Sequence, residues 1–503
     1  MKRTLANYVR LVMTLFIGLY ITRTLVTTDV SLFSVYTIVT VGLAFGVMAR
    51  EALRIATVPL IARLHAVSDP EQPPPDAHDP ARGADILRLA LLVALANMAL
   101  ALPVTVLGHM LDIPSMLASQ FAAFIVLRAV SSSLFITVVP YVNIIAYARA
   151  FTLYNGILLA ERLADLVAVL VIVRLVRDGR ADSALIVGGL IHACLAAVIA
   201  LTVRAVSRRI ATRRALEPWS TANGSRIDLR SAARALAGPG LLVLNMAAYF
   251  RLSLPLANVF FGETVGAMMA VAIQVSGYLR QAVQGLVTGL DSLMSREAKE
   301  LGGEANVRRL DTRVLDISLL LCAAFGVLAP LVPDLLDLIV GEAPIDRTRL
   351  QLLTLLLLVG VLARSLSEVW MQFLNGRGDT VHYSRKLLVV AVVYLTALAL
   401  LSRSELPRPE ILIGLLFAAA SMISHLMIVP VCLSTSLPGC STFPRLLPTA
   451  FAVLLLPVPW CLRFANIVGP YGQTMVASIL ATTILMIYMV KVRPGSVVEA
   501  SGT

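Results

Sequence analysis

Charged residues are scarce in this chain of 503 residues. Asp, Glu, Lys and Arg make up only 14% of it, against about 25% in a typical soluble domain. The five cysteines form no Cys-x-x-Cys pair and the six histidines are scattered, so no metal site is indicated. No Gly-x-x-x-x-Gly-Lys-Ser/Thr loop occurs, which argues against direct ATP hydrolysis. These absences argue against a soluble domain and against metal- or nucleotide-dependent chemistry.

Long apolar runs dominate the chain instead. It is 58% hydrophobic, its mean hydropathy is +0.84, and mostly apolar runs of about 18 residues or more recur, enough to cross a bilayer as helices. Barrel strands are about 9 to 11 residues long and alternate in polarity, unlike these runs. Because backbone polar groups in lipid must be satisfied within a segment or a closed barrel, the runs are expected to be helices. The sequence predicts an all-α polytopic membrane protein.

The runs predict about fourteen transmembrane helices, in two six-helix bundles followed by two C-terminal helices. Lys2, Arg3 and Arg10 precede the first run, which is expected to be a retained helix because no small-residue cleavage site follows it. The predicted spans are residues 8–27, 33–60, 86–108, 116–142, 151–173, 183–204, 236–259, 264–292, 314–340, 349–374, 386–402, 411–433, 446–465 and 472–492.

The positions of the basic residues predict the orientation. Most of the 42 Lys and Arg residues fall in the even-numbered connections and at the two termini. By the positive-inside rule, that side and both termini are expected to be cytoplasmic. The net charge of +12 is therefore mainly a topology signal, and no nucleic-acid partner is indicated because no soluble basic domain presents it. The arginine- and alanine-rich composition is typical of a GC-rich genome, so we expect a multi-pass protein of a bacterial cytoplasmic (inner) membrane.

Two cytoplasmic connections are longer than the others. Residues 66–84 contain five prolines and several acids and are expected to be a disordered insert. The arginine-rich segment 205–235 is expected to be a linker and topology anchor, or alternatively a patch for anionic lipid or a partner enzyme. The predicted domains are an N-terminal bundle (1–204), this linker (205–235), a C-terminal bundle (236–433), and two further helices with a short cytoplasmic tail (434–503).

The two sides of the linker contain similar turns. Residues 25–32 (LVTTDVSL) join helix 1 to helix 2, and residues 260–267 (FFGETVGA) join helix 7 to helix 8. Each has an apolar helix end, a turn with one acid, and then Val and a small residue that open the next span. This similarity predicts two bundles related by an axis along the membrane normal.

Tandem bundles, these turns and the basic linker together resemble the multidrug/oligosaccharidyl-lipid/polysaccharide (MOP) flippase superfamily, and most of all its polysaccharide-export (Wzx-like) flippases. Residues 47–56 (VMAREALRIA) are similar to an Arg-Glu-Ala-aromatic-Arg stretch of the eukaryotic Rft-type family, implicated in dolichol-linked oligosaccharide translocation. Leu53 stands where that family has an aromatic residue. The resemblance implies alternating access between the bundles and a polyprenyl-pyrophosphate-linked oligosaccharide as cargo. No motif in the sequence indicates a cofactor.

Arginines inside the apolar runs are the candidate binding residues. Arg50 and Arg54 share one helix face, and Glu51 lies three residues before Arg54, where a pair can form. A charge near the bilayer centre costs about 2.5 to 3.5 kcal/mol on insertion scales, so these side chains are expected to face a wet interior. An arginine fork fits phosphate oxygens bidentately. The alternatives are an Arg–Glu tether to a neighbouring helix, or Arg54 extending to the cytoplasmic surface.

Other predicted spans carry similar groups. For Arg364 and Glu368, spaced i, i+4, a mutually satisfied pair is favoured, whereas Arg280 with Gln284 is expected to face an anion. Glu161 and Asp165 are interpreted either as coupling-ion or proton sites, or as tethers to Arg162 or to arginines across the bundle. The predicted anion-binding residues are Arg50, Arg54, Arg128, Arg251, Arg280, Gln284 and Arg364, and the ion-coupling or tether candidates are Glu51, Glu161, Asp165 and Glu368.

Arginines outnumber acids in these spans, so the interior is predicted to be net positive. A positive interior favours an anionic lipid carrier over the cationic drugs that an acid-rich interior attracts. The predicted function is therefore a non-enzymatic flippase for a lipid-linked oligosaccharide, with membrane lipids and polysaccharide assembly enzymes as expected partners. The alternatives are a cation-coupled multidrug exporter and a polyprenyl-phosphate-dependent membrane glycosyltransferase or polymerase. The short external connections argue against the last, since such enzymes usually carry an acidic motif in a sizeable loop.

Overall fold

The computed structural model describes residues 2–66, 83–108, 110–148, 150–213, 251–287, 329–368, 380–403 and 408–436. It also describes shorter stretches at 236–238, 240–241 and 243–245, and residues 248, 321, 325, 370 and 371. The predicted helices 446–465 and 472–492, the core of the proline-rich insert and most of the basic linker lie outside these residues.

Every regular element in the described residues is a helix. Eleven α-helices can be numbered in chain order, and residues 329–340 are helical as well. The helices are α1 (Lys2–Thr28), α2 (Val30–Thr37), α3 (Phe45–Ala66), α4 (Gly83–Leu107), α5 (Ser115–Tyr147), α6 (Phe151–Arg177), α7 (Ala184–Arg213), α8 (Ser253–Val287), α9 (Arg347–Leu366), α10 (Thr380–Leu401) and α11 (Pro409–Ser436).

Nine segments of the described chain are long and apolar enough to cross a membrane. The all-α polytopic prediction is confirmed, while the number of fourteen helices stays a prediction. Helix α6 is not among the nine segments although it has 27 residues. Glu161, Arg162 and Asp165 lie together in its middle and interrupt its apolar run.

The predicted continuous helix 33–60 is interrupted. Asp29 caps α2, because its Oδ1 accepts from the Leu32 N–H at 2.8 Å. After α2 the chain forms a π-helical turn over Ile38–Gly42, closed by Leu43 N–H donating to the Ile38 carbonyl at 2.7 Å, and α3 begins at Phe45. Such π-turns leave carbonyls without the regular i→i+4 partner and often occur at functional sites.

The predicted helix 236–259 is also not continuous. The chain turns at Arg251 and Leu252, and α8 begins at Ser253. Gly262 then interrupts α8 with φ 85° and ψ 177°, a conformation that side-chain-bearing residues rarely adopt. Asp112, in the loop before α5, caps the second part of α8, since its Oδ2 accepts from the Glu263 N–H at 3.0 Å.

The chain divides into two compact units, residues Met1–Ala270 and Val271–Thr503. In the first unit α5 is central and packs against α3, α4 and α7, while α6 packs against α1 and α7. Its core includes a cluster of Leu53, Ala94 and Ile136 from α3, α4 and α5. In the second unit α11 packs against α9 and α10. The predicted division at the linker 205–235 stays a prediction.

Candidate functional site

Helix α6 carries two acids that bind arginines from other helices. Glu161 accepts two hydrogen bonds from Arg50 of α3, at 2.6 Å from Nη1 to Oε2 and 2.8 Å from Nη2 to Oε1. Both side chains are mostly buried, and the Arg50 guanidinium also lies 5.5 Å from the ring centre of Phe135 on α5. This bidentate pair connects α3 to α6 across 111 residues of sequence.

Arg54 pairs within its own helix. Its Nε and Nη2 donate to the two carboxylate oxygens of Glu51 at 2.9 and 2.7 Å. The side chains are 34% and 44% exposed, so this pair is far more accessible than the Arg50–Glu161 pair. The structure therefore contains the Arg54–Glu51 pair that the spacing allows.

Asp165 contacts side chains from three helices. Its Oδ1 lies 3.0 Å from Arg128 Nη1 of α5 and 3.1 Å from His192 Nε2 of α7. Its Oδ2 lies 3.5 Å from Arg162 Nη1, one turn earlier on α6. The carboxylate is thus surrounded by donors from α5, α6 and α7.

His192 is not among the residues that the sequence predicts for this site. The side chain is almost fully buried, and its Nδ1 has no hydrogen-bond partner within the described part of the chain. An ionisable residue in the middle of an apolar span is itself a functional signal. His192 lies eight residues into α7, in a run otherwise apolar, and this position could have identified it.

Arg251 lies against the interruption between α2 and α3. Its Nη1 is 3.5 Å from the carbonyl oxygen of Val41 and 3.4 Å from that of Ala44. Gly42 permits this approach, because a Cβ there would lie 2.8 Å from Pro255 Cδ. The interrupted helix and the turn before α8 are therefore in direct contact in the first unit, and Arg251 contacts one carbonyl of the π-turn and one at the start of α3.

The other predicted residues belong to the second unit. Arg280 is half-buried in α8, and the side chain of Gln284 lies outside the described atoms. Arg364, in the last turn of α9, and Glu368, which follows that helix, are both buried. Beside them, Ser367 Oγ and His425 Nδ1 of α11 form a buried hydrogen bond of 2.8 Å. The expected local pair of Arg364 with Glu368 stays a prediction.

The ion pairs of the first unit show how its acids are neutralised. Glu51, Glu161 and Asp165 each bind at least one arginine, so these acids act as tethers or local partners in this conformation. Roles for Arg50, Arg54 and Arg128 in substrate binding, and for the acids in ion coupling, stay predictions. Arginines outnumber acids in α6 and in the described candidate spans of this unit: Arg10, Arg23, Arg50, Arg54, Arg88, Arg128, Arg162, Arg174, Arg177, Arg204, Arg208 and Arg209 against Glu51, Glu161, Asp165 and Glu263.

Neither a protein-family model nor a curated protein matches the chain in sequence. Solved structures do match its fold. An inward-facing multidrug resistance MATE family transporter of the MOP superfamily is similar with a TM-score of 0.62 and 14% identity, over 86% of this chain and 96% of the other. The lipid II flippase MurJ, in an inward closed conformation, is similar with a TM-score of 0.60 and 8% identity, over 97% of both chains.

A MATE transporter of Vibrio cholerae gives a third match, with a TM-score of 0.56 and 15% identity, over 88% of this chain and 100% of that one. At these identities the likeness concerns the fold, and the matches extend over nearly the whole chain. The chain therefore has the fold of MOP-superfamily transporters, a fold shared by drug transporters and a lipid flippase.

Proposed function

We propose that this chain is an alternating-access flippase that moves a polyprenyl-pyrophosphate-linked oligosaccharide across the cytoplasmic membrane for glycan export. The surplus of arginines over acids in the spans of the first unit supports this proposal most directly. A positive charge in a span is costly, so an excess of arginines over acids is expected to be retained only where it serves a purpose. Binding an anionic headgroup would serve that purpose, because pyrophosphate oxygens match the planar arginine fork.

The fold similarity supports a lipid-linked cargo. One of the matching proteins is a lipid II flippase, and the similarity covers 97% of each chain. The interrupted segments of the first unit add to this support. The π-turn before α3 and the glycine in α8 are local departures from regular helix, where a rocking motion can be absorbed.

A multidrug exporter is the second candidate, and the MATE matches favour it. Such an exporter needs carboxylates that bind a coupling ion or a cationic drug. Asp165 is buried beside His192, which is the kind of ionisable pair that proton coupling uses. However, Arg50 and Arg128 already neutralise Glu161 and Asp165, so an anionic cargo agrees better with the charges.

Translocation in proteoliposomes tests the proposal. We expect the purified chain to move a fluorescent polyprenyl-pyrophosphate-linked sugar, and we expect Arg54→Glu and Arg280→Glu to abolish this movement while the protein elutes and melts like the wild type. The exchange Arg50→Glu with Glu161→Arg keeps the ion pair but relocates the positive charge. Loss of transport in this variant would show that Arg50 binds the cargo. Normal transport would show that Arg50 only tethers α3 to α6.

Drug accumulation in cells tests the alternative function, a multidrug exporter. If the chain is an exporter, cells should extrude ethidium, and Asp165→Asn should raise its accumulation. Arg174→Glu, at an exposed site on the same helix as Asp165, is the matched control for a change of charge on α6. Ethidium export that depends on Asp165, together with no movement of the lipid-linked sugar, would contradict the flippase proposal.

A further inference from the structure

Arg10 of α1 has an unusual environment for a residue at the start of a membrane helix. Its side chain is partly buried, and its Nε is buried without a hydrogen-bond partner among the described residues. Tyr154, Glu161 and Arg162 of α6 all lie within electrostatic reach of its guanidinium. The sequence predicts Arg10 to be a flanking charge, but its guanidinium is within electrostatic range of the charged middle of α6.

A polar contact holds α1 and α6 in register beside this arginine. Asn155 Nδ2 donates to Asn7 Oδ1 at 2.9 Å, and Asn155 is buried. Asn7 lies one helical turn before Arg10, and Asn155 follows Tyr154 directly. The position of Arg10 next to α6 is therefore set by the packing of two helices and is not that of a loose terminal side chain.

The acids beside Arg10 and Arg162 already interact with other basic side chains. Both carboxylate oxygens of Glu161 accept from Arg50, and Asp165 Oδ1 lies within hydrogen-bonding distance of Arg128 and His192. Arg162 approaches only Asp165 Oδ2, at 3.5 Å, and its side chain is 51% exposed. Arg10 and Arg162 therefore act on each other as like charges, while the acids beside them are shared with Arg50, Arg128 and His192.

We infer that Arg10 and Arg162 form a phosphate-binding subsite between α1 and α6, in the predicted cytoplasmic half of the first unit. An anion between the two guanidinium groups would relieve their repulsion and satisfy the buried Nε of Arg10. The ligand chemistry is that of a pyrophosphate, whose oxygens can accept from two forks at once. In the proposed transport cycle, on which this assignment to a lipid headgroup rests, the subsite captures the headgroup on entry.

Binding to the purified full-length chain in detergent tests the subsite. The probes are inorganic pyrophosphate and farnesyl pyrophosphate, titrated at constant ionic strength and followed by microscale thermophoresis. Arg10→Gln and Arg162→Gln should each weaken binding at least about tenfold, because each removes one charged fork. Arg10→Lys keeps the charge but not the fork, and it should recover part of the affinity.

Matched controls lie on the same two helices. Arg23→Gln on α1 and Arg174→Gln on α6 change exposed arginines at the other ends of these helices and should leave the affinity unchanged. Wild-type affinity in Arg10→Gln and Arg162→Gln would overturn the inference, as would a wild-type chain that binds neither probe. Equal weakening by the control variants would also overturn it, since the effect would then be one of overall charge.

The two probes separate the possible sources of the ligand. Tighter binding of farnesyl pyrophosphate assigns the subsite to a lipid headgroup, and equal binding assigns it to soluble pyrophosphates. Arginine-dependent binding by a chain that moves no lipid-linked sugar in liposomes would keep the subsite and overturn the proposed function. If the Arg10→Gln and Arg162→Gln variants bind both probes normally and also move the lipid-linked sugar, the subsite would be overturned and the proposed function would be kept.

Discussion

At the scale of single residues, the acids of α6 explain how arginines persist in apolar helices. Two mostly buried charges in contact are tolerated because each supplies what water would have supplied to the other. Removal of one partner leaves an uncompensated charge, whereas removal of both leaves an apolar contact. The Arg50–Glu161 pair, with its two short hydrogen bonds, is the best test of this asymmetry.

Arg50→Ala or Glu161→Ala should each lower the free energy of unfolding by about 3 kcal/mol, because the remaining charge stays in a largely buried place. The double change Arg50→Met with Glu161→Leu should recover most of this loss. Thermal unfolding of the detergent-solubilised chain measures the effect.

The control is the pair of Arg174, in the last turn of α6, with Asp178, the residue after that helix. It is an exposed i, i+4 pair with side chains 77% and 43% accessible, so Arg174→Ala should cost less than about 1 kcal/mol. If Arg50→Ala destabilises the protein no more than Arg174→Ala, the pair between α3 and α6 has no structural role.

The residue types of the site could be predicted from the sequence, but most of their partners could not. The spacing of Glu51 and Arg54 permits a local pair, and that pair forms. The partner of Arg50 lies on another helix, and helical periodicity does not reveal which helices are neighbours. The sequence left open whether Glu161 and Asp165 bind ions or arginines, and in this conformation both bind arginines.

At the scale of elements, the existence of helices was predictable and their interruptions were not. Continuous apolar runs identify spans because hydropathy is summed over many residues. A π-turn changes the backbone without changing hydropathy, so residues 33–60 read as one helix although the chain is interrupted at Ile38–Gly42. Gly42 was the only local signal in that turn, and it permits contact with Pro255.

Gly42→Ala should therefore destabilise the protein by about 1 to 3 kcal/mol, because the new Cβ would lie 2.8 Å from Pro255 Cδ. Thermal unfolding measures the change. Gly156→Ala in α6 is the matched control, since nothing lies within 4 Å of a Cβ there, and it should be neutral or slightly stabilising. Equal effects of the two changes would argue against a close contact at Gly42.

Gly262→Ala should also cost about 1 to 3 kcal/mol, but for a reason of backbone conformation. Its φ of 85° with ψ of 177° belongs to a region that is essentially restricted to glycine. A D-alanine introduced at this position by chemical ligation would fit positive φ and should recover stability, as judged from the melting temperature. A similar loss with D- and L-alanine would instead indicate steric contact with Asp112, whose Oδ2 would lie 3.2 Å from the Cβ.

At the scale of the whole molecule, the two units show a similar arrangement when each is considered by itself. In the first, α5 and α7 pack closely, with mostly buried Arg128 on one and buried His192 on the other. In the second, α9 and α11 pack closely, with buried Arg364 on one and buried His425 on the other. In the predicted numbering these are helices 4 and 6 and helices 10 and 12, which is the pattern expected of an internal repeat.

The predicted orientation can be tested at the two ends of α7. Asp182 and Arg209 are exposed residues near its opposite ends. In a variant without native cysteines, Asp182→Cys should react with an impermeant maleimide in intact cells, because the connection before α7 is predicted to be external. Arg209→Cys should react only after permeabilisation. The opposite labelling pattern would invert the predicted topology.

Helix α6 has a consequence for how the protein is made. Its three central charges would each cost about 2.5 to 3.5 kcal/mol if the helix entered the bilayer alone. However, α3 and α5 leave the ribosome first, so Arg50 and Arg128 are already in the membrane when Glu161 and Asp165 arrive at the translocon. His192 follows on α7 and completes the set around Asp165. The order of the charges along the chain is thus also an order of assembly, in which earlier helices make the insertion of α6 possible.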